Sequence, residues 1–156
     1  MSILAIDPGT TQSAFVYYAN GVVVSHDISE NNELLTCLKQ WSEQEDVVLV
    51  YEMIACYGMP VGASVFETCV WIGRFIEAWG RKTERVFRKD VKMYLCNSTR
   101  AKDGNVRQAL IDRFEPTGGG KTPQIGTKAQ PGPLYGMRRD MWAALGVAVT
   151  FCGEKT

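Results

Sequence analysis

Two short apolar runs constrain this chain most: Ile3-Leu4-Ala5-Ile6 and Val47-Val48-Leu49-Val50-Tyr51, each stopped by a carboxylate, Asp7 and Glu52. The first reads as a strand that delivers Asp7 to the rim of a sheet. The second is short and unalternating, the pattern of a strand covered on both faces. After Asp7, Pro8-Gly9 turns the backbone and Thr10-Thr11-Gln12-Ser13 follows. A charge at the end of a buried strand is costly unless something positive meets it, and a divalent cation is an efficient partner. Taken singly, Asp7 is equally read as opening its turn through backbone bonds, and Glu52 as a surface acid. As ends of parallel neighbours the two repel unless protonated or bridged by cations, and that pairing favours a metal site.

Around these runs the pattern predicts strands at 2–7, 13–19 and 21–27, with Asn20-Gly21 as a hairpin signal. Leu34, Leu35, Leu38 and Trp41 mark a helix over 31–43. A helix over 61–79, a strand at 83–87 and helices near 103–114 and 138–151 complete the chain. The order βββαβαβαα is that of an α/β protein, a five-stranded mixed sheet flanked by helices. Residues 116–136, rich in Gly and Pro without apolar period, form a long loop, and such length points to function or local disorder. The 156 residues fit one domain with a real core.

Overall neutrality conceals a division. Residues 1–80 hold two Lys/Arg against ten acids, and residues 81–156 hold fifteen against seven. Clustered basic residues suit a polyanion, with acids elsewhere holding metal, although zero net charge denies any broad pull on DNA. The five cysteines are scattered without a CxxC pair, so reduced thiols in a cytoplasmic protein are expected and a cysteine metal site is not. No apolar run approaches the roughly 20 residues of a membrane span, and residues 1–10 lack the leader of a secreted protein.

A third acid, Asp140, stands in Met137-Arg138-Arg139-Asp140-Met141-Trp142-Ala143-Ala144. It suits a helix N-terminus, and equally suits a metal site completed by Asp7 and Glu52. Three such carboxylates suffice for a pair of Mg²⁺ ions that activate water and stabilise the leaving oxygen of a phosphodiester.

Asp7 in IDPGTTQS, Glu52 in VLVYE and Asp140 in RRDMWAALGVAV resemble the RuvC family of Holliday junction resolvases, particularly its phage and prophage members. YGMPVGASVFETCVWIGRF and KDGNVRQALIDRF resemble the same proteins, in the same order. The resemblance implies a ribonuclease H-like fold, a homodimer and Mg²⁺-dependent symmetric nicking of four-way DNA junctions, with Mn²⁺ able to substitute. It carries Asp7, Glu52 and Asp140 over as metal ligands and catalytic acids, and Lys92 as a catalytic lysine. Two departures stand out. Family members often place an Asp where Ala143 stands here, which makes Asp103 a candidate fourth ligand. The second family lysine falls on Asp103 by spacing, with Lys102 beside it. Lysines beside a scissile phosphate offset the negative charge of the transition state, or else only position DNA. Asp103 is alternatively an N-cap. Tyr57, Arg88, Lys89, Lys102, Arg107, Lys121, Lys128, Arg138 and Arg139 are the candidate DNA contacts.

Other classes compete. Asp7 to Ser13 also resembles the first phosphate loop of the sugar kinase, actin and Hsp70 ATPases, which need two lobes where this chain has one. A junction-binding protein with weak nuclease activity follows if Ala143 cripples the metal site. Gly118-Gly119-Gly120-Lys121-Thr122 resembles the end of a P-loop, but Glu115 stands where that motif needs Gly, so no nucleotide cofactor is expected and a flexible loop touching DNA fits better. His26, the sole histidine, reads as structural.

Overall fold

The computed structural model describes residues 1–155. Five strands, β1 (Ser2–Asp7), β2 (Gln12–Ala19), β3 (Val22–Glu30), β4 (Val47–Met53) and β5 (Thr83–Phe87), form one sheet in the order β3-β2-β1-β4-β5. The β1–β2 and β2–β3 pairs are antiparallel, whereas β4 lies parallel to both β1 and β5. Asn20 and Gly21, with φ of 53° and 81°, make the β2–β3 hairpin with the double left-handed turn that matches strand twist.

Strand alternation sorts the core into two layers. Leu4 and Ile6 of β1 point to one face, where they meet Leu34, Leu38, Ile72, Phe75 and Trp79. Those residues come from α1 (Asn31–Trp41) and α2 (Ala63–Trp79). Ile3 and Ala5 point to the other face, against Val91, Leu110 and Leu145. These belong to α3 (Arg88–Cys96), α4 (Asp103–Ile111) and α5 (Met141–Lys155). Every residue from Met141 to Phe151 except Ala143 is buried, so α5 is apolar nearly all round, the mark of a central helix. Fully burying each large apolar side chain contributes about 1.5–3 kcal/mol, which makes the two layers a rigid platform for the strand ends.

Three elements depart from the expectation. Helix α3 was not foreseen, because it starts directly after β5 with a charged first turn and buries only Val91. The last helix begins at Met141 rather than 138, since Arg139 has φ of 50° and cannot be helical. The 116–136 segment is a loop, but a knitted one. Gly118 N–H bonds Pro123 O at 2.8 Å, Gly132 N–H bonds Ile125 O at 2.9 Å, and Leu134 N–H bonds Gln124 O at 2.8 Å. A Cβ on Gly132 would lie 2.2 Å from Pro123 O, so only glycine allows that approach. Fully buried Leu134 and a 3.0 Å bond between His26 Nε2 and Tyr135 O fasten the loop to the sheet. His26 thus has the structural role expected of it.

Candidate active site

Parallel pairing puts Ile6 opposite Tyr51, so β1 and β4 deliver Asp7 and Glu52 to the same end of the sheet. The turn after Asp7 is locked from below. Buried Ser13 accepts a bond from Gly9 N–H at 3.0 Å and donates to Asn31 Oδ1 at 2.6 Å. Asn31 Nδ2 in turn donates to Gly9 O at 3.0 Å. A Cβ on Gly9 would meet Gln12 O at 2.2 Å, so the tightness of the turn requires glycine. This network has a chemical consequence: the hydroxyl and amide that would cradle a nucleotide phosphate in an ATPase are spent on each other.

Asp7 and Glu52 share a hollow of about 270 Å³ with Pro8, Met53, Ile54, Tyr57, Arg88 and Lys89. Burial pushes the Asp7 carboxyl up to about 8, with the charges of Glu52 and Asp140 adding to the rise. Burial raises Glu52 as well, opposed by the positive charge of Arg88. The charge of Glu52 thus opposes ionisation of Asp7, and the two acids resist carrying two negative charges side by side.

A second hollow, of about 90 Å³, adjoins the first and is lined by Arg88, Asp103, Arg107, Arg139, Asp140 and Ala143. Here Asp103 is exposed and forms an ion pair with Arg88, whose hydrogen bond and charge hold its carboxyl below the usual range, helped by Lys92. Lys102, not Asp103, is the N-cap of α4. Asp140 precedes α5 and is exposed, within electrostatic reach of both strand-end acids. Arg88 lines both hollows and so stands between the acid groups.

The acids therefore gather around one arginine rather than around one point. Among the described residues, no three acidic, His or Cys side chains stand close enough to hold a single ion together. The donor chemistry nonetheless fits a divalent cation. Asp7 and Glu52 are hard oxygen donors whose charged forms burial disfavours, a penalty that a divalent ion removes.

The candidate DNA contacts divide by location. Tyr57, 67% exposed and with φ of 47°, stands at the rim of the first hollow with Lys89 Nζ 5.4 Å from its ring. Arg107 stacks on Trp142 at 4.7 Å, and Arg139 lines the second hollow beside it. Arg138 faces Asp27 at 3.9 Å. Lys102, Lys121 and Lys128 are exposed and line neither hollow. What the sequence reading missed is Arg88 as the acids' counter-ion. The signal was present: Val86-Phe87-Arg88 is a third strand ending in a charge, and Phe87 pairs with Met53 beside Glu52.

The sheet order, an antiparallel leaf joined to parallel strands and flanked by helices, is that of the ribonuclease H-like fold among α/β domains. More particularly it is the RuvC fold. The chain is similar to Thermus thermophilus RuvC in complex with a Holliday junction substrate, with a TM-score of 0.72, 13% identity, and coverage of 99% of this chain and 94% of that one. It is also similar to a second Thermus thermophilus RuvC structure, with a TM-score of 0.65, 15% identity and coverage of 97% and 93%. No family model and no curated protein sequence matches the chain. No helix among the described residues is long and apolar enough to cross a membrane.

Proposed function

We propose that this chain is a divalent-metal-dependent endonuclease that resolves four-way DNA junctions by paired, symmetric nicks. The observation that carries the reading is the meeting of Asp7 and Glu52 in one hollow, on a fold shared with a RuvC bound to a Holliday junction. Asp7 and Glu52 would hold Mg²⁺ or Mn²⁺ on one side and Asp140 on the other, with Asp103 adjacent. When bound, a pair of such ions supplies water activation and stabilisation of the leaving oxygen. The chain's own residues do the rest. Lys92 and Arg88 offset phosphate charge, while Lys89, Arg107 and Arg139 track the DNA backbone next to the acids. Tyr57 offers an unstacked base an exposed aromatic face.

A homodimer is part of the proposal. Phe66 and Val70, one turn apart on α2, are 61% and 57% exposed, an apolar face suited to a second copy. Two-fold pairing would match the symmetry of the junction and set two sites on opposed strands. Five free cysteines suit a reducing cytoplasm.

One observation favours a second reading, a junction-binding protein with weak nuclease activity: the acids are not gathered into a ready three-ligand site, and Ala143 lies where another acid would help. The ATPase reading loses support from the Gly9–Ser13–Asn31 network. The test is cleavage of labelled four-way, three-way, linear duplex and RNA–DNA hybrid substrates across Mg²⁺ and Mn²⁺ titrations. Opposed nicks in the four-way junction are expected. Binding without nicks at any metal concentration would select the second reading.

A further inference from the structure

Arg88 occupies the place common to both hollows. It opens α3 at the end of β5, beside the strand ends that carry Asp7 and Glu52. Its Nη2 donates to Asp103 Oδ1. Its other terminal nitrogen, Nη1, is buried and has no hydrogen-bond partner among the described residues. Leaving a buried guanidinium donor unmade is costly, and Arg has five donors to satisfy. One terminal nitrogen bound and one idle, next to four carboxylates, is the condition of a group that changes partners.

Resting on the nuclease reading above, we propose that Arg88 is the resident counter-ion of the acid site in the metal-free protein. On loading, it cedes the acids to divalent ions and turns its idle donors to an oxygen of the DNA phosphate held there. A guanidinium and a divalent ion repel each other, so both cannot neutralise Asp7 and Glu52 at once. A phosphate reverses that: it brings negative charge, and its oxygens match the guanidinium fork better than they match an ammonium. Asp103 is then a positioning residue. Its ion pair engages one terminal nitrogen of Arg88, and that tether would keep the arginine near the phosphate after it has left the acids.

The proposal has a signature that simpler roles lack. A metal ligand, when removed, weakens both metal binding and cleavage. A plain DNA contact leaves metal binding in the free protein alone. Arg88 should oppose metal before DNA arrives and assist afterwards.

The experiment measures Mn²⁺ affinity of the full chain without DNA, by the resonance signal of the free ion, together with single-turnover nicking of a four-way junction at saturating Mn²⁺. Arg88→Ala and Arg88→Gln are each expected to bind Mn²⁺ about tenfold tighter, because a competing charge is gone. The same variants should nick about 10²-fold more slowly, the scale of losing one preorganised donor to transition-state charge. Asp103→Asn releases Arg88 onto the acids, so Mn²⁺ binding should weaken by about threefold, and the weakening should vanish in the Arg88→Ala background. Unchanged or weaker Mn²⁺ binding in both Arg88 variants would overturn the proposal. So would an Asp103→Asn defect that persists in the double variant, since Asp103 would then be a ligand itself. Wild-type protein that neither binds Mn²⁺ nor nicks the junction overturns the nuclease reading instead, and this inference with it.

Discussion

The strand-end acids and the helix-side acids are built on opposite principles. Asp7 and Glu52 end apolar strands, where burial penalises their charges and raises both carboxyls. Asp103 and Asp140 flank the starts of α4 and α5, exposed, and Asp103 keeps its charge through Arg88. The site thus has one buried pair on strand ends that favours a cation, and one exposed pair at helix starts, of which Asp103 is tuned by a neighbour. A metal-dependent reaction would use both kinds. The first pair would set where an ion sits, and the second would meet a large substrate at the surface.

The sharpest way to break this contrast is to neutralise each group in turn. Asp7→Asn should lower junction nicking by about 10³-fold while leaving junction binding intact, since a ligand on the buried pair has no substitute. Asp140→Asn should cost less, about 10–10²-fold, and higher Mn²⁺ should recover part of it. Equal losses that no metal concentration recovers would erase the distinction between the groups.

A stability measurement separates them without DNA. Asp7 is raised from an ordinary 3.8 to about 8, so between those values the folded chain binds more protons than the unfolded one. Stability in the absence of metal should therefore fall as pH rises from about 4 to about 8, by as much as about 5 kcal/mol if the whole shift is expressed. Asp7→Asn should flatten that fall, and so should saturating Mg²⁺. Asp103 is lowered, so its stabilising contribution acts in the opposite sense, present above 3.8 and lost as pH falls below it. Denaturant unfolding at several pH values checks the sign. A wild-type curve flat from pH 5 to 8 would contradict the account of a buried Asp7 that resists ionisation.

The smallest effect concerns the route to Asp140. His26 anchors Tyr135 on the loop that leads into the helix-side acids. His26→Ala should cost about 1 kcal/mol of stability, the worth of one hydrogen bond. It should slow nicking modestly without altering the pH dependence that Asp7 governs.

These two groups also differ in how legible they were. Asp7 and Glu52 could be read from the sequence because two apolar runs stop at a carboxylate and the pairing of β1 with β4, which element order suggests, sets the two acids side by side. Asp140 was legible only as one of two alternatives, since an acid before a helix is common, and the resemblance favoured the metal site. The partnership of Arg88 and Asp103 was not readable. It depends on α3 following β5 without a turn, and α3 has only Val91 buried, so no apolar stripe announces it. The loop was visible as an absence of periodicity, but its order was not. Close backbone approach at Gly132 leaves no trace in hydrophobic pattern.

The most direct test of the central claim is anomalous scattering from crystals of the protein soaked in Mn²⁺. The account predicts a peak between the carboxylates of Asp7 and Glu52, absent from Asp7→Asn crystals soaked alike. A strong peak elsewhere with none at this pair, or one that survives loss of the Asp7 charge undiminished, would contradict it.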